Sequence, residues 1–317
     1  MCRREVESPN PMKLALNLPQ FMDYRSVLDR TLLAERLGYH SVWLQDHMWQ
    51  LRTPEFDHPE AIATMAALAA RTSRIRIGNL VLCNSYRNPA LLAKTLSTID
   101  DISGGRLEIG IGAGWFRREY EAYGYEFPAT GVRLAQLEEA LQIINLLFTE
   151  PSPSFHGRYY RIDRAYNFPK PMQKPRPPIT IGGKGEKVLL RLVARYADRW
   201  NAVVSGAEEF DHKLRVLKEH CAALGRDPNT LEISEQVLVF LGAAESNVRR
   251  VWEQAGRHPL VAEMREVSAI KGTPAAVAEQ LREHERRGVQ MLILWFADYG
   301  RPETIDLFAR EVMPALQ

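Results

Sequence analysis

Three short stretches of this chain carry residue types that could do chemistry. Asp46 and His47 set a carboxylate beside an imidazole, the side chain best suited to exchange protons near neutral pH. Arg106 to Gly124, RLEIGIGAGWFRREYEAYG, runs from alternating apolar residues into Gly110, Gly112 and Gly114 and then into Trp115 and Phe116. Glycine lets backbone approach a ligand closely, and aromatics directly afterwards can wall a planar molecule. Gly182-Gly183-Lys184-Gly185 lies between an apolar run and a helical pattern, where backbone N–H groups and the helix dipole can hold a phosphate. Lys184 and Lys187 add positive charge there.

Each stretch also has a plainer reading. A lone histidine usually caps a loop, Gly110 suits tight packing of a strand, and surface lysines are normally solvated. The glycine spacing GxGxG differs from the dinucleotide fingerprint GxGxxG, and no Walker A spacing occurs. No carboxylate and histidine grouping has metal-ligand spacing, so no metal is expected. Cys83 reads as a pocket-wall residue without a nearby activating base. Trp49 and Trp115 lie past strand ends and are candidates for the lining of a substrate pocket.

What must position these residues is a repeating strand and helix unit. Apolar runs begin at 13, 41, 74 and 106, close to the length of one βα unit apart. Between them lie helical patterns closed by Gly38 and by Gly104-Gly105, with Asn88-Pro89 opening the third. A fourth helix is expected over about 131–148. The pattern resumes with strands at 179–183, 199–204, 231–241 and 291–296, each followed by a helix, the seventh by a two-part helical region from 247 to about 270. Eight such units are the count of a single (β/α)8 barrel, with an open doubly wound sheet as the other topology the period admits. In both, ligand chemistry belongs at the carboxyl ends of the strands, where all three stretches fall.

Residues 151–178 hold seven of the chain's 19 prolines together with many aromatics, and read as an ordered insertion after strand four, over about 150–178. The domain is expected over 13–317, preceded by a disordered leader over 1–12. Composition is that of an ordinary globular protein, 45% hydrophobic and 25% charged. Lys plus Arg at 41 against Asp plus Glu at 39 argues against a nucleic-acid or membrane partner. Three cysteines without paired or metal spacing point to a reducing, cytoplasmic setting.

The runs LGYHSVWLQDH, IGNLVLCNSYRNPALLAKTLSTIDDISGGRLEIGIGAGWFRREYEAYG and ITIGGKGEKVLLRLVARYADRWN together resemble the bacterial luciferase-like superfamily, and within it the branch that uses the deazaflavin coenzyme F420. The resemblance implies a TIM barrel with a flavin or deazaflavin at its carboxyl-terminal mouth. It places Asp46 and His47 beside the ring, with His47 handling the proton. Cys83, Ala113 and Gly114 would surround the ring, and Gly182, Gly183, Gly185 and Glu186 would lie near the phosphate. Arg118 and Lys184 would meet the anionic tail, and Leu80–Val81 would be a non-proline cis peptide backing the ring. Sugar-phosphate dehydrogenases of this superfamily carry an acid where this chain has Trp115, so a more apolar or aromatic substrate is implied. The expected activity is hydride transfer between F420 and a small organic molecule, in a homodimer. The alternatives are an FMN-dependent monooxygenase and a cofactor-binding protein without turnover.

Overall fold

The computed structural model describes residues 11–316 apart from 19, 20, 52, 204 and 205. The leader expected over 1–12 therefore lies mostly outside the described residues. Among the described residues there are twelve strands: β1 (Lys13–Asn17), β2 (Ser41–Leu44), β3 (Arg76–Asn79), β4 (Leu82–Cys83), β5 (Leu107–Gly112), β6 (Phe155–His156), β7 (Arg161–Ile162), β8 (Ile179–Gly182), β9 (Arg199–Ala202), β10 (Glu232–Leu241), β11 (Ala269–Gly272) and β12 (Met291–Phe296). Parallel pairing runs β1-β2-β3-β5-β8-β9-β10-β12 and returns to β1, closing an eight-stranded barrel ringed by helices.

Alternation along each strand sorts side chains into two populations. Leu14 and Leu16 of β1, Val42 and Leu44 of β2, and Ile109 and Ile111 of β5 point outward into the large core shared with the helices. Ala15, Trp43, Met291 and Ile293 point inward and fill the lumen with Leu80. The helices obey their capping signals. Asn88 Oδ1 accepts from the Ala90 N–H at 2.9 Å to start helix Pro89–Ser103, and Gly104, at φ +68°, ends it.

Charge accompanies hydrocarbon at the lower end of the lumen, where Met291 shares a rung with Lys13. Arg199, 3% exposed, donates to Glu108 at 2.8 Å and to Glu232 at 2.6 Å, while Arg76 pairs with the other oxygen of Glu108 and Lys13 reaches Glu232 at 2.8 Å. Burial opposes ionisation of Glu108, but Arg199 and Arg76 outweigh it and hold its carboxyl below the ordinary value.

The non-proline cis peptide that the resemblance implied is present at Leu80–Val81. Two features depart from the expected pattern. The third strand is one long run in sequence but is divided into β3 and β4. The two-part helical region ends sooner than expected, at Ser268, and Ala269–Gly272 adds β11 to the outer flank of β10. The proline-rich segment after β5 carries the antiparallel hairpin β6–β7, whose turn is held by the Glu139 carboxylate accepting from the N–H groups of Arg158, Tyr159 and Tyr160.

Candidate active site

The upper lumen, at the carboxyl ends of the strands, has one wall with little side chain. Val81 lies against Gly110, Gly112 and Gly182: a Cβ on Gly112 would come within 2.9 Å of Val81 Cγ2, and one on Gly182 within 3.1 Å of Cγ1. On Gly114, at φ +76°, a Cβ would overlap the Tyr120 hydroxyl and come within 2.7 Å of Cys83 Sγ. Only glycine fits these positions, and the outcome is a shelf made of backbone, Leu80, Val81 and Cys83. Burial pushes the Cys83 thiol up to about 11, and its sulfur lies 3.0 Å from the Tyr120 hydroxyl. A protonated, enclosed thiol is a poor nucleophile.

Beside the shelf, His47 Nδ1 lies 2.9 Å from Glu119 Oε2. Glu119 is 1% exposed and is the hub of the site, since Oε2 also accepts from the Tyr86 hydroxyl at 2.8 Å and Oε1 from the Met48 N–H at 2.7 Å. Burial works against ionising this carboxyl, yet the His47, Tyr86 and Met48 donors prevail and lower its pKa. An ionised Glu119 accepts the Nδ1 proton, which fixes the imidazole tautomer and makes Nε2 its basic nitrogen. Glu119 sits on the short helix Arg117–Ala122, an element the sequence reading omitted. Glu119 lies in the same stretch as Gly114, whose aromatic and charged residues read in sequence as a loop.

Asp46 is placed next to His47 but faces elsewhere. Both its oxygens are taken by Arg87, at 2.7 and 2.8 Å, and Oδ2 also accepts the Cys83 N–H at 2.7 Å. The carboxylate therefore braces the end of β2 against β4, and Arg87 continues to Glu60 at 2.6 Å. Above His47 the aromatics gather: Trp115 and Phe116 meet its ring edge-on at 6.0 and 6.3 Å, and Trp49 stacks on Tyr123 at 5.5 Å. Trp115 is 64% exposed and forms the rim, with Trp49 half-buried behind it. Ala113 is half-buried at the shelf edge, while Arg118 is exposed on the rim.

The loop from Gly182 to Glu186 leaves the shelf at the end of β8. Gly183, at φ +131°, accepts the Trp200 indole N–H on its carbonyl at 2.8 Å. Gly185 and Lys184 are exposed, and Lys184 pairs with Glu209 at 3.2 Å. Glu186 turns outward: its Oε1 takes Lys213 at 2.5 Å and His212 at 3.0 Å, which pins the loop to helix Ala207–Ala223. Those two contacts lower its pKa. Among the described residues no cluster suited to a metal ion is present, and no helix is long and apolar enough to cross a membrane.

The model of the luciferase-like monooxygenase family matches residues 7–291. An F420-dependent glucose-6-phosphate dehydrogenase from Intrasporangium calvum is 28% identical over 92% of this chain and 95% of its own. The enzyme of that name from Amycolatopsis mediterranei is 35% identical, over 55% of this chain and 51% of its own. An FMNH(2)-dependent dimethylsulfone monooxygenase from Pseudomonas putida is 24% identical over 93% and 88%. Among solved structures, an F420-dependent secondary alcohol dehydrogenase in complex with an F420-acetone adduct superposes with a TM-score of 0.83, at 21% identity, over 97% of this chain and 100% of that one.

Proposed function

The chain belongs to the luciferase-like monooxygenase family, and on that premise we propose that it is an oxidoreductase that binds coenzyme F420 at the barrel mouth and moves a hydride between it and a small organic substrate. The observation that carries this reading is the His47–Glu119 pair at the strand ends, next to glycines whose backbone packs directly on Val81, Cys83 and Tyr120. Glycine at 112 and 114 lets the backbone close onto Val81, Tyr120 and Cys83, where an added Cβ would collide with those side chains, and the closed backbone gives a flat ring system a wall to lie against. Leu80, Val81, Cys83, Ala113 and Gly114 would hold the ring, and Gly182, Gly183, Gly185 and Lys184 its anionic side chain, with Arg118 at the rim. Bound there, a deazaflavin supplies two-electron hydride chemistry and reacts poorly with oxygen.

The chain's own part is positioning and proton handling. His47 Nε2 takes the proton from the substrate's reacting group, or returns it in the reverse direction. Glu119 stabilises the charge that forms on the imidazole, and Tyr86 with the Met48 N–H keeps Glu119 from turning away. Asp46 and Arg87 lock the strand ends from which His47 projects. Trp49, Trp115, Phe116 and Tyr123 form an aromatic rim above the imidazole.

A second reading, reduced FMN with oxygen activation, is favoured by the dimethylsulfone monooxygenase relative. Titrating the purified protein separately with F420 and with FMN, followed by absorbance and fluorescence, tests the choice. At least tenfold tighter binding of F420 is expected, and tighter binding of FMN would overturn the proposal.

A further inference from the structure

Asn17 and Trp295 lie at the upper end of the lumen, and neither side chain has a hydrogen-bond partner among the described residues. Each is 2% exposed, and Asn17 Oδ1, Asn17 Nδ2 and Trp295 Nε1 are all buried and unbonded. The two are neighbours in the sheet. β1 and β12 pair with Leu16 opposite Leu294, so Asn17 and Trp295 occupy the next rung. Ala15 and Ile293, two residues before them, lie in the lumen, and strand alternation points Asn17 and Trp295 the same way.

Their place in the ring of strands gives this meaning. In the closed order β12 and β1 stand across the lumen from β5 and β8, whose Gly112 and Gly182 belong to the shelf. A polar atom buried without a partner costs free energy, so such atoms in a native fold call for a water or a ligand. Three atoms on adjacent strands, facing the shelf, give N–H donors from the amide and the indole and an acceptor from the amide oxygen. The set bears no formal charge. Phosphates and carboxylates are best met by charged donors, whereas a hydroxyl, which both donates and accepts, or a carbonyl, which accepts two donors, matches it. The surroundings are apolar: Trp295 packs with Leu238, Phe240 and Phe21. His58, 6.4 Å from Phe21 between ring centres, also buries both ring nitrogens without a partner.

We propose that Asn17 and Trp295 are the substrate anchor, holding the oxygen of an uncharged alcohol or ketone across the lumen from the shelf and selecting against phosphorylated ligands. The assignment of that ligand as substrate rests on the oxidoreductase reading above; the binding itself does not.

The test uses the whole protein labelled with nitrogen-15, cyclohexanol as the neutral probe and glucose 6-phosphate as the anionic one, and follows the indole N–H resonances without cofactor. Cyclohexanol is expected to shift the resonance that is missing in Trp295→Phe, and glucose 6-phosphate to leave it in place. Asn17→Ala should weaken cyclohexanol binding about tenfold, the effect of losing one hydrogen bond, with F420 affinity within about twofold of the parent. Asn17→Leu, similar in size and apolar, should match or exceed the parent's Tm while losing the response. A resonance unmoved by cyclohexanol, or moved at lower concentration by glucose 6-phosphate, overturns the anchor. So does a loss of F420 affinity in both variants with cyclohexanol binding intact. Cyclohexanol binding without any F420 binding would sink the cofactor assignment and leave the anchor standing.

Discussion

At the scale of single residues, Glu119 organises the proton chemistry. Replacing it by Gln keeps the shape but removes the charge that balances a protonated His47. We expect kcat to fall by roughly two orders of magnitude, in the range of general acid–base effects, with KM and cofactor affinity little changed. Tyr86→Phe removes one of the donors to Glu119 and should cost less. Steady-state kinetics on the folded variants decides, and a Glu119→Gln enzyme with parental kcat would end the claim for the pair. The placement of His47, Cys83 and the glycines at strand ends was legible because strand ends and positive-φ positions have local signatures. It did not reveal Glu119, whose role depends on a short helix folding back over His47 from 72 residues away. Asn17 and Trp295 were unreadable for a related reason, since an orphaned amide is defined by what fails to surround it.

At the scale of elements, the strand ends are tied by a buried ion pair. Arg87 joins the loop after β4 to Asp46 at the end of β2 and to Glu60 at the start of helix Ala61–Arg71. Removing the guanidinium strands a carboxylate that is 7% exposed. Arg87→Ala should therefore lower stability by about 3 kcal/mol, and adding Asp46→Asn should restore part of the loss. Denaturant unfolding of the two single variants and the double checks this, with full additivity counting against the clamp. The eight barrel strands were legible because burial on both faces favours short apolar-rich stretches closed by turn residues, even where polar side chains interrupt them, as in β3, β9 and β10. β11 escaped because Ala-Ile-Lys-Gly has neither length nor alternation and exists through pairing with β10. The hairpin β6–β7 escaped because its two-residue strands are set by Glu139, a residue on another element.

At the scale of the whole molecule, burial of neutral histidines ties stability to pH. Burial lowers His58 and His40 to about 4 from an ordinary value of 6.5. Below pH 6.5 the unfolded chain takes up protons that the folded chain refuses until about pH 4, so stability falls as pH drops through that window and the two terms level off beneath it. Each histidine contributes a slope of about 1.4 kcal/mol per pH unit. Tm measured from pH 7 down to 4.5 should show this decline, and His58→Phe should remove about half of the histidine slope. An unchanged slope in that variant would show His58 to be solvated. The charged floor of the lumen matters at this scale too. Arg199, Glu108, Arg76, Glu232 and Lys13 hold one another at the lower end, and Ala15, Trp43, Met291 and Ile293 fill the lumen. The barrel is thus no passage: traffic would enter and leave by the same door.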